Sequence, residues 1–239
     1  MKIKTVLPSK IRLVLKLLQR MIRDIINGNH SKFAKQRIQT SDFNYSINLV
    51  QEMKQTQLYE QKIENIKIAI NKIEKVVVEP GEIFSFWKII GEPSKKNGFK
   101  KGRNIVSGQV YEDYGGGLCQ LSGIIYHLSL LGQLKILERY NHSMDIYTEN
   151  TRYTPLGADA TVVYGYKDFR IKNNYKIPIK FEFEINKQHL SATLLSTEKI
   201  NAADITFEKK EKDNIVEVLT LKNGLELIGK SSYIKIIKK

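Results

Sequence analysis

A glycine-rich turn that leads into an apolar helix constrains this chain more than any other stretch. Residues 114–123 read YGGGLCQLSG, so three consecutive glycines precede Cys119, the only cysteine of the chain. Apolar residues then recur at helical spacing as far as Leu131, and Gly132 suits the position just past a helix end. Because this predicted helix is apolar on more than one side, it must be buried. The rest of the chain therefore has to fold around it.

The elements predicted on the two sides of this helix differ in kind. Two helical patterns precede it, at residues 9–27 and within residues 47–75, and short β segments follow it, among them residues 160–164 and 177–185. With 239 residues and 41% hydrophobic content, the chain can bury a core. The sequence predicts an α+β fold with N-terminal helices, a central buried helix that starts at the cysteine, and then an antiparallel sheet.

Residues 9–27 predict a basic amphipathic helix. One interpretation is that it lies on a membrane surface, and the other is that its apolar stripe packs on the rest of the protein, which is the commoner use of such a stripe. The net charge of +14 would attract an anionic membrane, a nucleic acid or an acidic envelope polymer, and charge alone does not choose among them. The apolar stripe consists of Ile11, Val14, Leu15, Leu18, Met21, Ile22 and Ile25.

The N-terminal sequence lacks the signals of export and of membrane insertion. No apolar run approaches the roughly 18 residues of a spanning helix, and Lys16 interrupts the first apolar stretch. We therefore expect a cytoplasmic protein that can lie at the inner membrane surface through residues 9–27. One cysteine excludes an internal disulfide and a Cys-rich zinc cluster, and we predict no metal and no cofactor.

Cys119 is a candidate nucleophile because of its position at a helix start. The unpaired N–H groups and the positive end of the helix dipole favour an anion there, which is the setting of a reactive thiolate. The alternative is that Cys119 is a small buried apolar residue, since free cysteine is often buried. The residues alone leave both interpretations open.

A nucleophilic cysteine needs a base, and the chain offers four histidines. His127 shares the helix with Cys119 but lies eight residues further on, about 12 Å along the axis, so its ring cannot reach the thiol. His30 lies in a polar connector and is assigned no role, and His189 lies at a predicted strand edge or turn, whereas His142 lies in the first extended segment after the helix. We predict His142 as the base.

Asp159, at the start of the next predicted strand, can orient the imidazole of His142. This order of cysteine, histidine and aspartate resembles that of transglutaminase-like and papain-like thiol enzymes, as an analogy of element order. Cys119 would attack an acyl carbonyl, with its sulfur within about 4 Å of a His142 ring nitrogen. Backbone N–H groups near residues 117–120 would stabilise the oxyanion. The predicted substrate and oxyanion residues are Gly115, Gly116, Gly117, Gln120, Arg139 and Ser143.

Four stretches of the chain resemble the VanW family, which is named for a gene that accompanies some bacterial glycopeptide-resistance clusters. They occur in the family's order and together cover roughly residues 45–185. The resemblance divides the chain into residues 1–44, a basic helix with its connector, residues 45–195, a VanW-like domain, and residues 196–239, a C-terminal β extension. The matching stretches are PGEIFSF at 80–86, GGGLCQLS at 115–122, ERYNHS at 138–143 and LGADATV at 156–162.

The resemblance also implies a function. Some VanW domains of secreted cell-wall proteins are reported as L,D-transpeptidases that cross-link peptidoglycan through a cysteine, and Cys119 matches that cysteine. We therefore predict a cysteine-dependent acyl transferase or amidohydrolase acting on a peptidoglycan peptide or precursor. The alternative is a non-catalytic binding or accessory protein of the cell-wall or glycopeptide response, whose glycine loop holds a ligand. No specific nucleic acid is expected, because no reading module is recognisable.

Overall fold

The computed structural model combines a few helices with several antiparallel sheets, which confirms the predicted α+β class. The resemblance to the element order of transglutaminase-like and papain-like enzymes stays a prediction. The structure describes residues 7–37, 42–55, 57–106, 109–145 and 152–235, with the backbone alone for residues 103–106 and 109–110.

The helices and strands follow one another in a mixed order along the chain. The helices are α1 (Ser9–Ile26), α2 (Tyr59–Ile73), α3 (Phe86–Ile90) and α4 (Leu118–Leu131). The strands are β1 (Tyr45–Glu52), β2 (Val77–Val78), β3 (Ile83–Ser85), β4 (Lys101–Val106), β5 (Gln109–Tyr114), β6 (Lys135–Glu138), β7 (Met144–Asp145), β8 (Arg170–Lys172), β9 (Ile179–Ile185), β10 (His189–Ser196), β11 (Ile205–Lys212), β12 (Ile215–Lys222) and β13 (Glu226–Lys235).

These strands form four sheets within the described residues. Their orders are β1-β10-β9-β2, β11-β12-β13-β7, β3-β8-β6 and β4-β5. The pairing of β13 with β7 is parallel and sets Ile234 opposite Met144, whereas the other strand pairs are antiparallel. This one parallel contact joins the C-terminal sheet to the strand that follows His142.

Helix α4 lies in the centre of the main core, as its all-round apolar character predicts. Leu121, Ile124, Ile125 and Leu128 are fully buried, and the helix contacts α2, β1 and β10. Gly132 ends the helix where space is tight, because a Cβ there would lie 2.3 Å from Cδ2 of Leu194.

The helix predicted from residue 47 is wrong in its first part, which forms strand β1. The apolar residues Ile47, Val50 and Met53 have helical spacing, but the segment also alternates, and the alternating pattern determines the structure. Leu49 packs against the core while Val50 is 53% exposed. Pairing along the whole of β10 supplies the backbone hydrogen bonds of β1, and the helix begins only at Tyr59.

The strand predicted at residues 160–164 is also wrong, because the backbone of this segment finds partners outside a sheet. The hydroxyl of Ser122 donates to the carbonyl oxygen of Ala160 at 2.6 Å, and the N–H of Thr161 donates to Tyr140 at 2.6 Å. Only Val163 forms an isolated bridge, with Lys167. A neighbouring strand is therefore not needed to satisfy these groups.

Helix α1 forms as predicted, but the apolar stripe predicted from the sequence faces away from the described part of the chain. Each of its seven members is at least 42% exposed. Of the two interpretations, packing of this stripe on the described residues is therefore wrong. No helix in the described ranges has the length and apolar character required to cross a bilayer.

Candidate functional site

Cys119 is the second residue of α4, and glycines shape the turn that delivers it. Gly115 and Gly117 have positive φ angles of 87° and 96°, which glycine adopts without the strain of a side chain. A Cβ at Gly117 would lie 2.6 Å from Cγ of Lys62, so the turn can approach α2 only without a side chain there. The glycine-rich sequence thus fixes where the thiol enters the core.

Backbone and side-chain hydrogen bonds hold this turn. The amide nitrogen Nδ2 of Asn65 donates to the carbonyl oxygens of Lys100 and Gly116, at 3.0 and 3.1 Å. Two of the predicted oxyanion donors, the N–H groups of Leu118 and Gln120, donate within the turn. The Gln120 side chain is buried and its Nε2 donates to the carbonyl of Glu52 at 3.2 Å, so its amide ties α4 to β1.

His142 and Asp159 are joined by two hydrogen bonds to one carboxylate oxygen. The ring nitrogen Nδ1 of His142 lies 2.6 Å from Oδ2 of Asp159, and the backbone N–H of His142 donates to the same oxygen at 2.7 Å. Gly123 faces the Asp159 segment, and a Cβ there would lie 3.7 Å from Cα of Asp159. The carboxylate therefore holds both the ring and the backbone of His142.

The Cys119 thiol and the His142 imidazole are close enough for each to shift the pKa of the other. Burial raises the pKa of Cys119, but the hydrogen bond and the positive charge of His142 outweigh it, and the pKa falls below its ordinary value. Burial lowers the pKa of His142, but hydrogen bonds with Asp159 and Cys119 outweigh it and raise the pKa to about 10. The two shifts share one cause, because the anionic form of Cys119 and the cationic form of His142 stabilise each other.

Arg139 joins the carboxylate to the surrounding backbone. Its Nε donates to the carbonyl oxygen of Asp159 at 2.7 Å, and its NH2 group contacts Oδ1 of Asp159 at 3.1 Å and the Gly157 carbonyl at 2.8 Å. The guanidinium lies 4.6 Å above the ring of Tyr126. Arg139, predicted as a substrate residue, is thus mostly buried and contacts Asp159 directly.

The C-terminal sheet supplies two contacts that sequence reasoning missed. Tyr233 of β13 donates a hydrogen bond to Oδ1 of Asp159, and Ser231 accepts one from Arg139 at 2.5 Å. Burial raises the pKa of Asp159, but His142, Arg139 and Tyr233 together lower it to about 2. Ser231 and Tyr233 alternate with exposed residues along β13, and this pattern could have predicted that their side chains face the interior. The pattern does not show which residues they contact.

The other predicted residues take up positions around this core. Ser143 is exposed, and its carbonyl oxygen accepts the N–H of Ile234 at 2.9 Å, which extends the contact with β13. His127 packs edge-on against Phe207, and burial lowers its pKa to about 4. His189 begins β10 at the surface. The structure brings Cys119, His142, Asp159 and Arg139 together.

A narrow recess with a volume of about 30 Å³ opens beside the His142–Asp159 pair. Arg152 lies on its wall and makes contacts of 2.8 and 3.0 Å with the carboxylate of Asp145. In the described parts of the chain, no cluster of histidine, cysteine and acidic residues has the arrangement of a metal site. A thiol, an imidazole and a buried carboxylate arranged in this order can support nucleophilic attack on an acyl carbonyl.

Comparisons with known proteins agree with the resemblance seen in the sequence. Residues 61–195 match the family model described as "VanW like protein". The chain is 36% identical over 138 residues to the "Uncharacterized protein YoaR" of Bacillus subtilis (strain 168), covering 58% of this chain and 44% of that protein.

A second relative carries a functional name. The chain is 30% identical over 115 residues to the "Vancomycin B-type resistance protein VanW" of Enterococcus faecalis (strain ATCC 700802 / V583), covering 48% of this chain and 42% of that protein. The chain thus spans less than half the length of the curated relatives that it matches. No solved structure matches it.

Proposed function

Since the chain belongs to the VanW-like family, we propose that it is a cysteine-dependent acyl transferase or amidohydrolase that acts on peptidoglycan-type peptides. The observation that carries this proposal is the contact series from Cys119 through His142 to Asp159. A structural cysteine has no need of a buried imidazole–carboxylate pair beside it. An acyl-transfer nucleophile requires one group to move its proton and another to orient that group.

The proposed reaction has two steps. The Cys119 thiolate attacks the carbonyl carbon of a peptide bond, a C–S bond forms, and the C–N bond breaks as the His142 imidazolium gives its proton to the leaving amine. An acceptor then attacks the thioester while His142 takes the acceptor's proton, and the thiolate leaves. An amine acceptor gives a cross-linked peptide, and water gives a hydrolysed one. Asp159 keeps the imidazole in one orientation throughout.

The substrate class rests on the relatives and on charge. One relative is named for vancomycin resistance, and the net charge of +14 suits an anionic envelope. The recess beside His142 is lined in part by Arg152 and Thr154, and it offers an approach to the imidazole–carboxylate pair. These features support a peptide substrate or precursor of the cell wall.

The test is to incubate the purified chain with soluble muropeptides that carry tetrapeptide stems and to follow the products by mass spectrometry. We expect a cross-linked or a shortened stem with the wild type and none with Cys119→Ala. Conversion at the wild-type rate by Cys119→Ala would show that the thiol is not the nucleophile. Binding without conversion, with ordinary reactivity of Cys119 towards iodoacetamide, would overturn the proposal in favour of an accessory binding protein.

A further inference from the structure

Helix α1 is attached to the protein along one narrow face. Leu13 and Leu17 lie against Gly165, where a Cβ would meet Cδ1 of Leu13 at 2.4 Å. Arg20 makes contacts of 2.7 and 2.9 Å with the carboxylate of Glu138. These residues, together with Asp24, follow one another around about 60° of the helix, at 100° per residue.

A salt bridge at the C-terminal end of the attachment face buries the only acidic residue of the helix. Asp24 is 3% exposed and accepts two hydrogen bonds from the guanidinium of Arg170, the shorter at 2.6 Å. The exposed part of α1 therefore carries no carboxylate. Its charged side chains at the surface are all cationic.

A broad apolar face of α1 points away from the attachment face. At 100° per residue its members fill a continuous arc of about 140°. Each is between 42% and 78% exposed, so the face is not covered by the described part of the chain. A contiguous apolar surface of this kind marks an interaction site in a soluble domain. The members are Ile11, Val14, Leu15, Leu18, Met21, Ile22, Ile25 and Ile26.

Cationic side chains border this apolar face on both sides. Lys10 lies at one edge of the arc, and Arg12, Lys16 and Arg23 lie together beyond the other edge, all of them exposed. Long basic side chains at such edges can keep their charges at the level of phosphate groups while their stems stay in an apolar phase. The combination fits a surface that is both apolar and negatively charged.

We propose that α1 lies on an anionic phospholipid bilayer, with its apolar face at the boundary between headgroups and acyl chains. Lys10, Arg12, Lys16 and Arg23 then contact the anionic headgroups, and each adds to the attraction. A folded protein partner would need acidic groups on both sides of an apolar groove, whereas a bilayer provides both properties everywhere. The attachment through Leu13, Leu17, Arg20 and Asp24 leaves this surface available without any change in the fold.

The bilayer surface and the candidate site share one loop, residues 162–168. The Val162 carbonyl oxygen lies 3.7 Å from the sulfur of Cys119, and Gly165 lies under Leu13. Asp168, at the end of the loop, bonds to Ser85 and Arg170, and Arg170 holds Asp24. Adsorption through α1 would therefore fix the position of the thiol relative to the membrane.

The test is flotation of the purified chain with lipid vesicles. We expect the protein to float with phosphatidylcholine vesicles that contain about one-third phosphatidylglycerol, and to bind about tenfold less to phosphatidylcholine alone. Binding should weaken as salt is added, because the headgroup attraction is screened. Absence of flotation with the anionic vesicles, or equal flotation with both, would overturn the proposal.

Paired variants distinguish binding through α1 from non-specific adsorption of the protein to vesicles. Leu18→Glu combined with Ile22→Glu places two charges in the apolar face and should abolish flotation, whereas Leu225→Glu changes an apolar side chain that is 91% exposed in another part of the fold and should not. Lys16→Gln combined with Arg23→Gln should weaken binding by roughly tenfold or more. Thermal unfolding of each variant checks that the fold is kept.

The same variants show whether the apolar face of α1 binds a bilayer or a second copy of the chain. Sedimentation without lipid should give a monomer over the range of protein concentrations used for flotation. A dimer that forms without lipid and dissociates in the Leu18→Glu, Ile22→Glu variant would assign the apolar face to self-association and overturn the membrane proposal.

Discussion

Tyr233 donates a hydrogen bond to Oδ1 of Asp159 from a strand that lies outside the part of the chain matched by the family model. The other carboxylate oxygen faces the ring of His142, so the two oxygens of Asp159 have separate partners. Tyr233 is thus a positioning residue, because it acts on the imidazole through the carboxylate and does not contact the thiol.

We predict that Tyr233→Phe lowers the rate of the proposed acyl transfer by about tenfold, because loss of one buried hydrogen bond to a charged group costs about 1.5 kcal/mol or more. The pH profile of Cys119 alkylation should shift as well, which loss of packing alone would not cause. Tyr45→Phe, in an exposed tyrosine of β1, is the matched control. An unchanged rate and an unchanged profile would show that Asp159 does not need the phenol.

The shifted pKa of Cys119 leads to a prediction about its reactivity. Because the pKa lies below its ordinary value, the rate of iodoacetamide alkylation should reach its plateau at a lower pH than for a free thiol, whose pKa is about 8.5. His142→Gln removes the imidazolium, so the pKa should rise and alkylation at neutral pH should slow by about tenfold. Stopped-flow alkylation across pH measures both. A wild-type profile centred at the ordinary thiol pKa would contradict the prediction.

The lowered pKa of Asp159 leads to a prediction about how the free energy of unfolding depends on pH. Its pKa is about 2 in the folded chain, and the unfolded value is about 4, so the unfolded chain binds the proton first as pH falls. The stabilisation is therefore present above pH 4 and is lost as the pH falls towards 2. Denaturant unfolding should show this acid-dependent loss in the wild type.

Asp159→Asn should remove the acid-dependent part of the stability and lower the free energy of unfolding at neutral pH by about 3 kcal/mol, because the buried Arg139 loses the negative charge beside it. Glu198→Gln, in a residue whose side chain lies at the surface, provides the control for loss of one carboxylate. Equal acid sensitivity in wild type and Asp159→Asn would show that another carboxylate is responsible.

The glycine turn before Cys119 gives a prediction about strain. Gly117→Ala introduces a side chain at a φ of 96° and a contact of 2.6 Å with Lys62, so we expect a loss of about 2 kcal/mol in stability and slower alkylation. Gly81→Ala has a φ of 79° but nothing within 4 Å of the new Cβ. It should cost only about 1 kcal/mol and leave alkylation unchanged. Equal effects of the two variants would mean that the contact with α2 is unimportant.

The positions of the candidate residues, as distinct from their chemical roles, were partly predictable from local geometry. Helical rise separates His127 from Cys119 by too great a distance, and the next extended segment carries His142, which the structure sets beside the thiol. The buried character of α4 was likewise visible in its apolar residues. These positions could be inferred because each depends on a short stretch of sequence, whose periodicity indicates whether its side chains are buried or exposed.

The remaining features depend on contacts that are distant in sequence. The contact between Tyr233 and Asp159 follows from the parallel pairing of Ile234 with Met144, which no local pattern encodes. The spacing of Ile47, Val50 and Met53 fits a helix, but pairing with β10 overrides it. Likewise, residues 160–164 have the pattern of a strand, but hydrogen bonds with Ser122 and Tyr140 satisfy backbone groups of this segment instead.

The parallel pairing of β13 with β7 has a consequence for protein synthesis. A ribosome completes Cys119, His142 and Asp159 well before it reaches Tyr233, and chains begin to fold from the N-terminal side during translation. The nascent chain can therefore set the thiol beside the imidazole while the carboxylate still lacks the phenol. We expect full activation of the thiol to wait until β13 has paired with β7.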